Sequence, residues 1–349
     1  MSMNSKAKIS VIIPCYNCEN TIKRCVDSLY HQTGPDFEIV LVDDGSTDNT
    51  ADLCDYYANT NHGIVVVHQE NKGLVGAWKT GVKHASGNYI GFCDSDDYID
   101  EGFIESVTSH ITIHYPDMIV FGMKKEYDNG EVVCSDVLLQ DGYYDKKKIK
   151  ELILPRLFSD GDMQTELMLC SRCNKVFTKE LLLDIISDIP EKIALGEDCL
   201  TCFAATLNSN SILCIRNYYP YHYVRTTESM IGAYDERAFA KIEELYTSLK
   251  YVSDKYDYLY PEQIEKECLS SLLLYMKKEI CKNPQGYRDV SRNLKSICNS
   301  ELFNKLYDKN SVNRYSLVNR VYAKLIYLRF FPLVYCIVRV LDSIKGRKV

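Results

Sequence analysis

Apolar and polar positions alternate in blocks over the first hundred residues. Residues 9–13 are a short apolar run that stops at Pro14, and residues 37–42 are a second that ends at Asp43-Asp44-Gly45. Residues 64–67 form a third run, and residues 89–93 form a fourth that ends at Asp94. Between the runs the spacing turns helical. Residues 19–32 carry Ile22, Cys25, Val26 and Leu29 on one side, residues 48–58 follow, and residues 74–85 set Leu74, Ala77, Trp78, Gly81 and Val82 together. This strand–helix rhythm predicts an α/β fold with a Rossmann-like, mostly parallel sheet covered by helices on both faces. Residues 101–225 are mixed. Strands are expected at 117–122 and 211–215, and helices at 146–158 and 196–207. Beyond residue 226 the pattern is helical and tyrosine-rich. The expected organisation is two halves of one α/β domain, 1–100 and 101–225, and a helical region, 226–349.

Ligands of such sheets bind beyond the carboxyl ends of the strands. Pro14 to Asn17, Asp43-Asp44 and Asp94-Ser-Asp-Asp97 all follow predicted strands and are expected on one edge. Carboxylates gathered there repel one another unless something positive joins them, and a divalent cation holding a phosphate does so. The first strand is not followed by G-x-G-x-x-G, and the Walker lysine motif is missing. Phosphates are therefore expected to be held through a metal rather than on a glycine-lined helix end.

The chain resembles the GT-A fold glycosyltransferases of family 2, a group that builds bacterial surface polysaccharides. The resemblance rests on Val11-Ile-Ile-Pro-Cys-Tyr-Asn17, Val42-Asp-Asp-Gly-Ser-Thr-Asp48 and Gly91-Phe-Cys-Asp-Ser-Asp-Asp-Tyr98, then on Asn174-Lys-Val-Phe177 and Gly196-Glu-Asp-Cys-Leu200. It covers residues 8–225. It implies that Asp44 accepts a hydrogen bond from a nucleotide base, with Pro14 and Tyr16 around it. It implies that Asp94 reaches the ribose or a metal-bound water, and that Asp96, with Asp94 beside it, holds Mg²⁺ or Mn²⁺ on the diphosphate. Asp198 is the implied base of an inverting transfer, at the start of a helix whose dipole favours its ionised form. Where relatives carry Ala-Arg-Asn, this chain has Ala77-Trp78-Lys79, so Lys79 stands in for a diphosphate-binding arginine without its forked geometry. Trp78 reads as core. The segment 218–225 is either a flap, with Arg225 or His222 touching phosphate, or an edge strand. The implied reaction moves one sugar from a nucleotide diphosphate, with UDP the expected carrier, to a saccharide or lipid-linked acceptor. The missing Q-x-x-R-W motif argues against a processive synthase. The competing reading is a non-catalytic scaffold of a membrane-associated assembly.

Composition adjusts this picture in three places. A net charge of −7 argues against nucleic acid as a partner. Fifteen cysteines without a secretory leader read as reduced cytosolic thiols. The spacings Cys15/Cys18, Cys170/Cys173 and Cys199/Cys202 read as chance rather than zinc or redox motifs. Residues 314–349 set eight basic residues against Asp342 alone, interleaved with aliphatic and aromatic ones. That mixture suits an interfacial helix on anionic lipid, at the inner face of the cell membrane, or else a helical cap packed on the protein. The tyrosine-rich helices offer a surface for a homodimer.

Overall fold

The computed structural model describes residues 8–32, 37–158, 162–163, 166–225, 234–307 and 312–345. The chain divides into two units, Met1–Ile153 with Met168–Arg225, and Leu154–Leu167 with Thr226–Val349.

The first unit is built on an eight-stranded sheet. Its parallel half is β1 (Ile9–Cys15), β2 (Phe37–Asp43), β3 (Ile64–His68) and β4 (Tyr89–Phe92), in the order β3-β2-β1-β4. Every residue of β1 is buried, as expected for a parallel strand covered on both faces. The helices between these strands are α1 (Ile22–Tyr30), α2 (Thr50–Thr60) and α3 (Gly73–His84). In α1 the buried residues are Ile22, Cys25, Val26 and Leu29, the set that the periodicity predicts. In α3 the buried face holds Val75, Trp78 and Val82, while Leu74 is exposed, contrary to expectation. Three- and four-residue steps from Val75 reach Trp78 and Val82, and Leu74 lies off that stripe. Trp78 is fully buried, edge-on to Phe92 at 6.0 Å.

The sheet continues with β10 (Lys175–Thr178), antiparallel between β4 and β6 (Met118–Phe121), then β11 (Ser211–Ile215) parallel to β6, and β9 (Gly142–Asp145) at the edge. A second sheet has the order β5 (Tyr98–Ile99), β12 (Tyr221–Arg225), β7 (Met123–Tyr127) and β8 (Val132–Ser135). β12 is thus an interior strand, not an edge. Helix α4 (Phe103–His114) precedes β6. The helix expected over 146–158 is broken into α5 (Lys146–Lys148), a wider π turn Ile149–Ile153 and a 3₁₀ turn Leu154–Arg156. Pro155, which has no backbone N–H to give, lies in that last turn. Helices α6 (Lys179–Ile185) and α7 (Glu197–Asn208) complete the unit.

The second unit is helical: α8 (Ala238–Lys255), α9 (Pro261–Lys282), α10 (Tyr287–Asn299), α11 (Glu301–Leu306), α12 (Leu317–Tyr327) and α13 (Phe331–Lys345). Its core follows α9, through Ile264, Leu269, Leu272, Leu273, Met276 and Ile280. Helix α13 is apolar on two sides. Phe331, Val334 and Val338 are buried, whereas Leu333, Ile337, Val340, Leu341 and Ile344 recur at helical spacing and are exposed. Among the described residues no helix is long and apolar enough to cross a membrane.

Candidate active site

The loops after β1, β2 and β4 interlock. Asp44 N–H donates to the Cys15 carbonyl (2.9 Å), Asn17 N–H donates to Ser46 Oγ (3.1 Å), and Thr47 N–H donates to Asn17 Oδ1 (2.8 Å). Arg24 of α1 donates from Nη2 to the Asp96 carbonyl and lies 5.6 Å from the Tyr98 ring. These bonds fix the strand ends against one another before any ligand arrives.

Gly45 makes the turn after β2 possible. Its φ is +72°, and a Cβ there would meet the Asn71 nitrogen at 2.9 Å and the Gln69 carbonyl oxygen at 3.3 Å. On either side of the turn's entry, two aspartates are buried with separate duties. Asp43 accepts from Ser46 N–H (3.1 Å) and pairs with His68 Nδ1 (2.9 Å). Burial works to raise its pKa, but the bonds from His68 and Ser46 win and hold it below the ordinary carboxylate value. Asp44 receives Gln69 Nε2 (2.6 Å) and Lys72 N–H (2.9 Å), both on Oδ1. Among the described residues no protein donor is assigned to its Oδ2. Pro14 is buried at the end of β1, and Tyr16 beyond it is 52% exposed.

The residues after β4 divide in the same way. Asp97 is fully buried and structural. It accepts from Tyr221 Oη (2.5 Å) and Val224 N–H (2.8 Å) of β12, and burial, followed by the neighbouring Asp94, pushes its carboxyl up to about 8. Asp96 is exposed, and Asp94 keeps 34% of its side-chain surface. Burial pushes Asp94 up to about 6. Arg172 pulls it down, while Asp198 and Asp96 push it further up.

Arg172 is the residue that the sequence reading missed. It is 1% exposed, and its guanidinium lies 5.9 Å from the Trp78 ring and 5.6 Å from the Phe92 ring. Nη1 contacts Asp198 Oδ1 and lies 3.8 Å from Glu197 Oε1, while Nη2 lies 3.8 Å from Asp94 Oδ1. One cation thus joins the end of β4 to the start of α7. Gly196, at φ +74°, caps that helix and turns Glu197 and Asp198 inward. Burial and then Asp198 push the Glu197 carboxyl up to about 7, against Arg172. Burial disfavours the charge on Arg172 itself, but Asp198 and Asp94 outweigh it and keep the guanidinium ionised. The available signal was one basic residue, inside the Cys170/Cys173 spacing, before the buried strand β10.

Asp94, Asp96 and Asp198 are therefore brought within electrostatic reach of one another, beside the loops that carry Pro14, Tyr16 and Asp44. Lys79 is not part of this group. It is buried, its Nζ donates to the Ile189 carbonyl (2.5 Å), and the charges acting on it are Glu191, Lys83 and Asp188. The α3 turn that buries Trp78 carries Lys79 toward residues 188–191 instead. Arg225 ends β12 with its guanidinium 5.6 Å from the Tyr127 ring. His222 is buried, stacked on Tyr98 at 4.1 Å, with Nδ1 2.6 Å from Glu126 and Nε2 2.7 Å from Asp100. Both its ring nitrogens are engaged by protein.

Among the described residues no three His, Cys, Asp or Glu side chains form a cation-binding group, and no disulfide is present. The donor set still suits a divalent cation of the magnesium type. Such an ion takes one or two carboxylates and draws the rest of its shell from phosphate and water. Asp94 and Asp96 offer that number, in a cluster where acids outnumber the single arginine.

The family model "Glycosyl transferase family 2" matches residues 10–182. Glycosyltransferase GlyA of Streptococcus pneumoniae is 36% identical over 55% of this chain and 27% of its own length. Poly(ribitol-phosphate) beta-N-acetylglucosaminyltransferase TarS of Staphylococcus aureus is 32% identical over 65% of this chain and 37% of its own. The chain thus spans well under half of either relative. The crystal structure of TarS 1-349 in complex with UDP-GlcNAc superposes with a TM-score of 0.64 at 22% identity, over 97% of this chain and 92% of that one. The mannosyltransferase PcManGT of Pyrobaculum calidifontis, in complex with GDP-Man and Mn2+, follows at 0.50 and 15% identity, over 97% of this chain and 88% of that one. The fold is thus a GT-A-like α/β arrangement with a C-terminal helical region, and residues 10–182 are a glycosyl transferase family 2 domain.

Proposed function

We propose that the chain is an inverting glycosyltransferase that moves one sugar from a UDP-linked donor to a saccharide or lipid-linked acceptor in cell-surface polysaccharide synthesis. The observation that carries this reading is the meeting of Asp94, from β4, and Asp198, from α7, on Arg172, beside the loop of Asp44. The donor-bound TarS structure and the surface-polymer relatives support the substrate class. In the reaction an acceptor hydroxyl gives its proton to Asp198. Its oxygen bonds to the sugar's anomeric carbon, and the bond from that carbon to the diphosphate breaks with its electron pair leaving on the nucleotide. Asp44 Oδ2 accepts from the base, with Pro14 and Tyr16 framing it. Asp94 and Asp96 would hold Mg²⁺ or Mn²⁺, which would neutralise charge on the leaving diphosphate. Arg225 lies on the donor side, beyond Tyr223, which is subject to both Arg225 and the three aspartates 94, 96 and 97. Lys79, committed to Ile189, is left out of this assignment.

A panel of nucleotide sugars with and without Mn²⁺, read by thermal shift, tests the reading. A UDP-sugar raises the melting temperature only when Mn²⁺ is present, and Asp96→Ala abolishes the rise. If no nucleotide sugar shifts the wild-type chain, the scaffold reading takes its place.

The same proposal puts the enzyme at the inner face of the membrane. The support is the exposed stripe on α13, together with exposed Leu317, Val318, Leu328 and Phe330 and a basic local charge. Vesicles containing phosphatidylglycerol should pull down the chain at low salt and release it at high salt. Replacing Leu333, Ile337 and Val340 by serine should weaken capture about tenfold. Equal loss of self-association with no vesicle binding would assign the stripe to a dimer instead.

A further inference from the structure

We propose that Arg172 is the positioning residue of the transfer step: it pins Oδ1 of Asp198 and thereby presents Oδ2 to the acceptor hydroxyl. The inference rests on the assignment of Asp198 as base and adds a residue that acts through it.

Three observations carry it. First, Asp198 Oδ1 is buried against Arg172 Nη1, yet the side chain as a whole keeps 26% of its surface. The open part of the carboxylate is therefore on the Oδ2 side. Second, the guanidinium is held by ionic and aromatic contacts. Trp78 and Phe92 lie beside it, Nη1 contacts Asp198 Oδ1, and Nε is buried with no hydrogen-bond partner among the described residues. A buried arginine paired with carboxylates is a poor way to stabilise a fold, since apolar residues of similar volume often do as well or better. Third, its reach spans two elements that the chain joins only through the sheet, β4 by way of Asp94 and α7 by way of Glu197 and Asp198. Arg172 meets Asp198 and Asp94 through separate nitrogens, Nη1 and Nη2, a fork that a lysine ammonium lacks.

The alternative role for a cation here is to bind the leaving diphosphate directly. The two differ in what a substitution changes. A diphosphate ligand acts on donor affinity, whereas a positioning residue acts on turnover and only while Asp198 is present.

The experiment uses the full chain with Mn²⁺ and the UDP-sugar that wild type converts to UDP fastest, with melting temperature as the check on folding. Arg172→Met and Arg172→Lys should each lower kcat on the order of a hundredfold, as a misplaced catalytic group does, and leave KM for the donor within about threefold. In an Asp198→Asn background, Arg172→Met should lower kcat by less than about twofold more, because the two act as one unit. A folded Arg172→Lys with wild-type kcat, a rise confined to KM, or losses that multiply with Asp198→Asn would each overturn the proposal. A crystal structure of Arg172→Met gives a readout without turnover: the Asp198 carboxylate should rotate from its present place, and an unmoved carboxylate refutes the pinning. If wild type releases UDP from no UDP-sugar, the functional reading fails, while the crystallographic result still decides the role of Arg172.

Discussion

The acids around Arg172 and the acid at the centre of the helical unit keep opposite company. Glu279, on α9, is 0% exposed, and neutral donors meet it. Asn283 Nδ2 and Asn293 Nδ2 reach Oε1 at 2.7 and 2.8 Å, and Tyr275 Oη reaches Oε2 at 3.3 Å. Each carboxylate oxygen is answered, so this charge ties three side chains of the unit together. Around Arg172, three carboxylates share one guanidinium, and Asp198 Oδ1 is buried against its Nη1. The first arrangement is closed. The second retains negative charge for something that arrives. The contrast separates acids that hold the fold from acids held ready by it.

The comparison can be broken most sharply at Asp198. Asp198→Asn should cut UDP release on the order of a thousandfold, within the range for loss of a general base, and leave the urea midpoint nearly unchanged. If instead it unfolds the chain, Asp198 belongs with Glu279. The reverse substitution comes next. Glu279→Leu strands two amides and a hydroxyl and should cost about 3 kcal/mol in urea denaturation, with activity of the folded fraction retained. A third test concerns pH within the helical unit. Burial, and then Glu166, pushes the Glu267 carboxyl up to about 8 against the hydrogen bond from Ser271 (3.1 Å). The folded chain therefore holds this proton more tightly than the unfolded chain, whose carboxyl titrates near about 4.3. The stabilisation is complete below that value and is lost as pH rises through about 8. Melting temperature should fall between about pH 5 and pH 9, and Glu267→Gln should flatten that fall. An unchanged slope would show that Glu267 is an ordinary surface acid.

What could be read along the chain was what neighbouring residues decide among themselves. The runs at β1 to β4 and the buried set of α1 follow from local periodicity, and the acid clusters announce themselves as the text after each strand. Leu74 was placed on the wrong face because one extra apolar residue at a helix start is compatible with two stripes. The second sheet escaped notice because β5 has two residues and β8 is largely exposed, so neither carries a strong alternation. Its interior strand β12 reads in the sequence as either a flap or an edge strand for the same reason. Lys79 was assigned by analogy with an arginine, and only the fold shows its ammonium bound to Ile189. Arg172 was out of reach altogether. Its meaning comes from Asp94, Glu197 and Asp198 converging from distant parts of the chain, and no spacing rule links them.

The tight turn at Gly45 has a consequence for how this chain can change over time. The atoms that a methyl group there would strike belong to Asn71 and Gln69, and Gln69 is also the side chain that clasps Asp44. A mutation at that one codon would disturb the bend and the clasp together. The Asp44 loop is therefore locked against gradual drift at position 45, and change has to come from elsewhere on the rim, where Tyr16 and Asp96 stand open to solvent.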